Sequence, residues 1–115
     1  MIEFACKNIS IDEIIKCSFS LTKTELLIFR FIVNSEKNSL TTEEISNTLN
    51  LDLSTVQRAV KKLTEQDILL KTQKNLSNGG YIFLYSCKSK QNIKDKILNN
   101  FTNFSKRVEE SLNKW

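Results

Sequence analysis

Apolar and polar positions alternate along this chain with two different periods. Between Leu26 and Val33 seven of eight residues are apolar, with Arg30 alone breaking the run. A helix apolar on nearly every side is buried on several of them, so this stretch is expected near the centre of a domain. Thr22 and Glu25 precede it at capping-box spacing, which predicts where the helix starts. The same spacing recurs at Ser10–Glu13, Thr41–Glu44 and Ser54–Gln57. Behind these lie Ile11, Ile14 and Ile15, then Ile45 and Leu49, then Val56, Ala59, Val60 and Leu63, each set at helical intervals. Asn50-Leu51-Asp52-Leu53 separates the last two helices, with two leucines able to plug a core from the turn. Residues 1–8 show little pattern, and Leu40 is expected to add a short strand residue.

After Asp67 the period changes. Ile68-Leu69-Leu70 begins an extended stretch, and Tyr81, Phe83, Tyr85 and Cys87 alternate with Ile82, Leu84 and Ser86. Between them, Asn75-Leu76-Ser77-Asn78-Gly79-Gly80 holds both glycines of the chain, which predicts a hairpin turn. From Ser89 the helical period returns. Ile93, Ile97, Phe101, Phe104, Val108, Leu112 and Trp115 span 22 residues in six turns, about 3.67 per turn, a straight apolar face. Such a helix, about 40 Å long, exceeds what a small domain needs. Its stripe either folds back over the Leu26–Val33 helix or pairs with a second copy of the chain, and both can hold at once.

The expected fold is therefore mainly α with a small β-hairpin (α+β), a winged helix-turn-helix with a long C-terminal helix. It divides into an N-terminal helical extension (1–20), the winged helix-turn-helix (21–88) and an amphipathic dimerisation helix (89–115). The outward side of the second helix of the pair, residues 54–66, carries Thr55, Gln57, Arg58, Lys61 and Lys62. These are side chains that read base edges and phosphates: Arg and Lys for guanine and backbone, Gln for adenine, Thr for the thymine methyl. Ser54 and Thr42 at the helix starts, Lys71 and Lys74 on the hairpin flanks and Asn78 at its tip complete the candidate DNA-binding set.

The stretches LTKTELLIFRFIV, LTTEEISNTLNLDLSTVQRAVKKLTEQDILLK and YIFLYS carry a resemblance to archaeal winged-helix transcription regulators of the TrmB and MarR-like type. It covers about Leu21 to Lys88, and the C-terminal helix matches in kind. The resemblance implies a homodimer on double-stranded DNA, acting as a sequence-specific regulator without catalytic activity. The alternative is a winged helix used for protein assembly in a transcription or replication complex. Exposed aromatics or leucines on the second helix would favour that alternative, and the sequence places none there.

Composition narrows the choice further. A net charge of +4 over 115 residues suits a polyanionic partner. The chain has no histidine, which removes the commonest general base and metal ligand. No Gly-rich phosphate loop and no Cys-x-x-Cys occur, so neither an enzyme nor a cofactor is expected. No apolar run reaches about 18 residues and no signal peptide is evident, so a cytoplasmic protein is expected. Cys17 and Cys87 read as core positions. Cys6, beside Lys7, could have a lowered thiol pKa, and Cys6 with Cys17 forms a candidate redox pair if the chain folds back between them.

Overall fold

Local capping dictates most helix starts. In the computed structural model, which describes residues 1–5 and 7–115, Thr22 accepts the Glu25 N–H at 3.2 Å while Glu25 accepts the Thr22 N–H at 2.7 Å. Thr41 and Glu44 make the same reciprocal pair, at 3.1 and 3.2 Å. These boxes open α2 (Lys23–Asn34) and α3 (Thr42–Leu49). Ser10 caps α1 (Ile11–Ser18), and Ser89 caps α5 (Lys90–Asn113).

At Ser10–Glu13 only the Ser10 half of the box is made, and the box at Ser54–Gln57 does not form. The helix after the turn, α4 (Leu53–Glu65), starts one residue early with Asp52 as its extended N-cap, and no side chain caps it. Asn50 takes the left-handed conformation (φ 55°, ψ 48°) and ends α3. Only Leu51 and Asp52 then remain to link the helices, and the Ser46 hydroxyl holds the Leu51 carbonyl. That short link draws Leu53 into the helix and leaves Ser54 inside its first turn. Leu51 is half-buried but Leu53 is exposed, so one leucine of the turn contributes to packing where two were expected.

The described residues form two compact units. The unit Thr22–Lys88 contains α2, α3, α4 and a hairpin of β3 (Leu69–Asn75) and β4 (Tyr81–Cys87), paired antiparallel from Leu69↔Cys87 to Asn75↔Tyr81. Leu40 adds an isolated bridge to Tyr85, with mutual N–H···O bonds of 2.8 and 2.9 Å, as its position suggested. α4 packs on α2, α3 and β3, and α2 also packs on β4. Ile28, Phe29 and Ile32 of α2, Ile45 of α3, Val56, Ala59, Val60 and Leu63 of α4, and Ile68, Leu69 and Tyr85 form the core. Removing a Val or Leu side chain of this kind from water contributes about 1.5–3 kcal/mol. Leu27 of α2 stays about half exposed, so that helix is less enclosed than its run of apolar residues implied.

The other unit contains Met1–Leu21 and Ser89–Trp115. The first twenty residues are not helical throughout. β1 (Ile2–Phe4) and β2 (Lys7–Ile9) form a short antiparallel hairpin ahead of α1, where Ile2 and Phe4 supply a two-residue period too brief to stand out. α1 packs on α5, and the Asn100 amide donates to the Ser18 carbonyl and hydroxyl at 3.0 and 3.1 Å. Ile15 and Ile93 are buried within this unit. No helix among the described residues is long and apolar enough to cross a membrane.

Candidate nucleic-acid interface

The period of α4 decides which side chains face outward. With Val56, Ala59, Val60 and Leu63 buried, Ser54, Gln57, Arg58 and Lys61 stand in solvent on the opposite side. Among the described residues no ion pair engages Arg58 or Lys61. Thr55 is half-buried at the flank. Glu65, one turn beyond Lys61, is also exposed and ends the cationic stripe with an acid.

Lys62 leaves that face. Its ammonium lies 3.0 Å from Glu25 Oε1, the same oxygen that accepts the Thr22 N–H, so one carboxylate both caps α2 and ties α4 to it. Burial alone would raise the Glu25 pKa; the Thr22 N–H and the Lys62 charge outweigh it and hold the carboxyl below its ordinary value. Glu44 is lowered too, chiefly by its bond from Lys37 and then by the Thr41 N–H. Thr42 is half-buried, and its hydroxyl donates to Glu43.

On the hairpin, the register puts Lys71, Gln73 and Asn75 on one face with Tyr85, Phe83 and Tyr81. Lys74 lies on the other face, opposite Ile82, so the two lysines point to different sides. The Lys71 ammonium rests 4.1 Å from the centre of the Phe83 ring. Tyr81 and Phe83 meet edge to face, with centroids 5.3 Å apart, and both are exposed. Asn78 stands at the exposed tip, where Gly79 and Gly80 adopt φ of 90° and 80°. Sequence period alone could not separate Tyr81 and Phe83 from Tyr85. All three share a face, yet only Tyr85 is buried.

The cysteines part from expectation. Cys17 is exposed, not core, because it lies on the side of α1 away from the buried Ile15. Cys87 is half-buried, and burial pushes its thiol up to about 12. Cys6 falls outside the described residues, and so does the candidate pairing with Cys17. Among the described residues, no cluster of carboxylates and cysteines could hold a metal ion.

On α5, Ile93 is buried and Ile97 half-buried, but Phe101, Phe104, Val108 and Leu112 are 40–59% exposed and Trp115 fully so. The apolar stripe is formed as the spacing predicted, and its distal half lies open.

Comparison with known proteins bears on this arrangement. Residues 11–109 match the family model described as the DnaD N-terminal domain. A solved structure of a possible transcriptional regulator from Methanosarcina mazei Go1 is 39% identical, with a TM-score of 0.88 over 100% of this chain and 96% of that one. The ST1889 protein from the thermoacidophilic archaeon Sulfolobus tokodaii is 29% identical, with a TM-score of 0.67 over 87% of this chain and 92% of that one. Staphylococcus aureus MarR, solved with salicylate and kanamycin, shares the fold alone: 18% identity, TM-score 0.53, over 88% of this chain and 65% of that one. The winged-helix resemblance and the α+β class read from the sequence agree with these findings.

Proposed function

Because this chain belongs to the DnaD N-terminal domain family and turns Gln57, Arg58 and Lys61 outward from a winged helix-turn-helix, we propose that it is a sequence-specific regulator binding double-stranded DNA as a homodimer. The observation that carries the reading is the open face of α4, on which no ion pair among the described residues engages Arg58 or Lys61. A helix fits the major groove, where Arg58 can bridge guanine O6 and N7 and Gln57 can bridge adenine N6 and N7. Ser54 and Thr55 stand at the start of the same helix and Thr42 at the start of α3, while Lys62 is engaged by Glu25. The wing, residues 68–87, offers Lys71 and Lys74 on its two faces and Asn78 at its tip for contact with phosphates. Likeness to a possible transcriptional regulator supports the regulatory role.

The exposed stripe of Phe101, Phe104, Val108, Leu112 and Trp115 supports pairing of α5 with its copy, while the buried Ile93 and half-buried Ile97 seat the start of the helix in its own chain. A two-fold dimer would set half-sites about 10 to 10.5 base pairs apart, or a multiple of that. The same stripe also favours a second reading, in which α5 docks this winged helix into a larger protein assembly.

Titration of duplex fragments selected from a random pool, at two salt concentrations, tests the DNA reading. Arg58→Ala is expected to cost about 1–3 kcal/mol and to relax sequence preference. Lys71→Ala is expected to weaken all sequences alike and to flatten the salt slope by about one charge. Parent-like affinity in both variants would refute duplex recognition and leave the assembly reading.

A further inference from the structure

The wing carries a feature that phosphate contact does not require. Two aromatic rings stand in solvent at its outer end, Tyr81 at 57% exposure and Phe83 at 38%. Apolar rings are normally withdrawn from water, and on this same strand Tyr85 is. The two outer rings are held in relation to each other by their edge-to-face contact, and Lys71 is held beside them by its seat over Phe83. The alternation of β4 and its register with β3 bring Gln73 and Asn75 to the same face, where the Gln73 amide donates to Asn75 Oδ1 at 3.3 Å. Access is open: a Cβ added at Gly79 or Gly80, next to Tyr81, would meet no heavy atom within 4 Å.

Charge selects the occupant. From Leu69 to Lys88 there is no carboxylate, while Lys71, Lys74 and Lys88 are cations. Lys88 pairs with Asp67 at 2.8 Å, and the two lysines of β3 make no ion pair among the described residues. A neutral or basic protein surface gains nothing from that arrangement, whereas a strand with flat bases and a phosphate backbone matches each part of it.

We propose that this face of the wing binds unpaired bases of single-stranded nucleic acid. The Tyr81 ring is the stacking platform, Phe83 buttresses it edge-on, Lys71 neutralises a neighbouring phosphate, and Gln73 and Asn75 offer amide groups to base edges. Aromatic platforms beside cations bind single strands in this way with little sequence preference, because every base has a π-face. The inference goes beyond duplex recognition and draws on the wing alone. A protein that reads a duplex through α4 would thus also hold a strand that has come unpaired beside it.

The test uses the full chain and fluorescence anisotropy of a short labelled oligothymidylate, with an abasic oligomer of the same length as control. The parent is expected to bind the oligothymidylate about tenfold or more tightly than the abasic strand. Tyr81→Thr, which keeps a strand-favouring residue, is expected to erase that difference, and Tyr81→Trp to retain it. Arg58→Ala is expected to leave it intact, so failure of the duplex reading and failure of this one are separable. Equal binding of the two oligomers by the parent, or undiminished base dependence in a folded Tyr81→Thr variant, would overturn the proposal. No binding of either oligomer would overturn it as well.

Discussion

α4 and α5 are both amphipathic helices, and their apolar positions follow nearly the same period. Their fates differ. Val56, Ala59, Val60 and Leu63 of α4 are at most 3% exposed, whereas Phe104 and Leu112 of α5 are 57% and 59% exposed. The apolar stripe of α4 finds α2, α3 and β3 within a few dozen residues of chain. The distal stripe of α5 extends past the residues that α1 supplies, and a 24-residue helix reaches about 36 Å. The two helices therefore carry opposite messages. On α4 the satisfied apolar face fixes the helix rigidly, and the information lies in its polar side. On α5 the polar side is a solvated surface, and the information lies in an apolar side still in water.

The largest effect expected from this contrast is on α4. Leu63 is fully buried, so Leu63→Ala should lower unfolding stability by about 2–5 kcal/mol in denaturant titration. A loss comparable to that of an exposed-site substitution would mean that the face of α4 is not the keystone of its unit.

The corresponding change on α5 should act on assembly and spare the fold. Phe104→Asp or Val108→Asp places a charge in a contact that must exclude water, so each should convert a dimer to a monomer in light scattering while helix content stays parental. Trp115, the single tryptophan, reports the same event. Its emission should shift to longer wavelength in the variants if pairing covers it in the parent. A parent protein that is monomeric at micromolar concentration would refute pairing through α5.

A smaller effect concerns the ion pair that fixes α4 to α2. The Glu25 pKa is lower in the folded chain than the ordinary value of 4.5. Its contribution is thus fully present above that value and is lost as pH falls through the lowered folded value. Glu25→Gln, which keeps the capping-box geometry, should destabilise by about 1 kcal/mol or less at neutral pH. The gap between parent and variant should close as the solution is acidified below pH 4.5. A gap that stays constant with pH would show that packing, not charge, joins the two helices.

The smallest effect leaves stability untouched. In a Cys6→Ser background at pH 8, the exposed Cys17 should react quickly with a disulfide reagent, and Cys87, with its thiol pushed up to about 12, slowly. Substituting Cys17 by Ser should remove the fast phase. Two equally fast thiols would place Cys87 in a far more open setting.

Local rules were legible wherever a helix end or a turn is decided by residues a few positions apart. The boxes at Thr22–Glu25 and Thr41–Glu44, the glycines at the wing tip, the buried side of α4 and the stripe of α5 all follow from side chains that meet their own neighbours in sequence. The outward set Gln57, Arg58 and Lys61 was legible for the same reason, since a helix that buries one side must expose the other. Where two local options competed, the fold chose. Ser54 and Gln57 have capping-box spacing, yet the two-residue link after Asn50 starts α4 at Leu53 and makes that box impossible. Lys62 has the composition of a DNA contact, yet Glu25, 37 residues away, takes it. Cys17, Tyr81 and Phe83 have the patterns of buried residues, yet all three are exposed. Period and capping depend on contacts within a few residues, so sequence determines them. Which apolar face is covered, and which charge is already paired, depends on contacts between distant segments, and only the tertiary structure decides those.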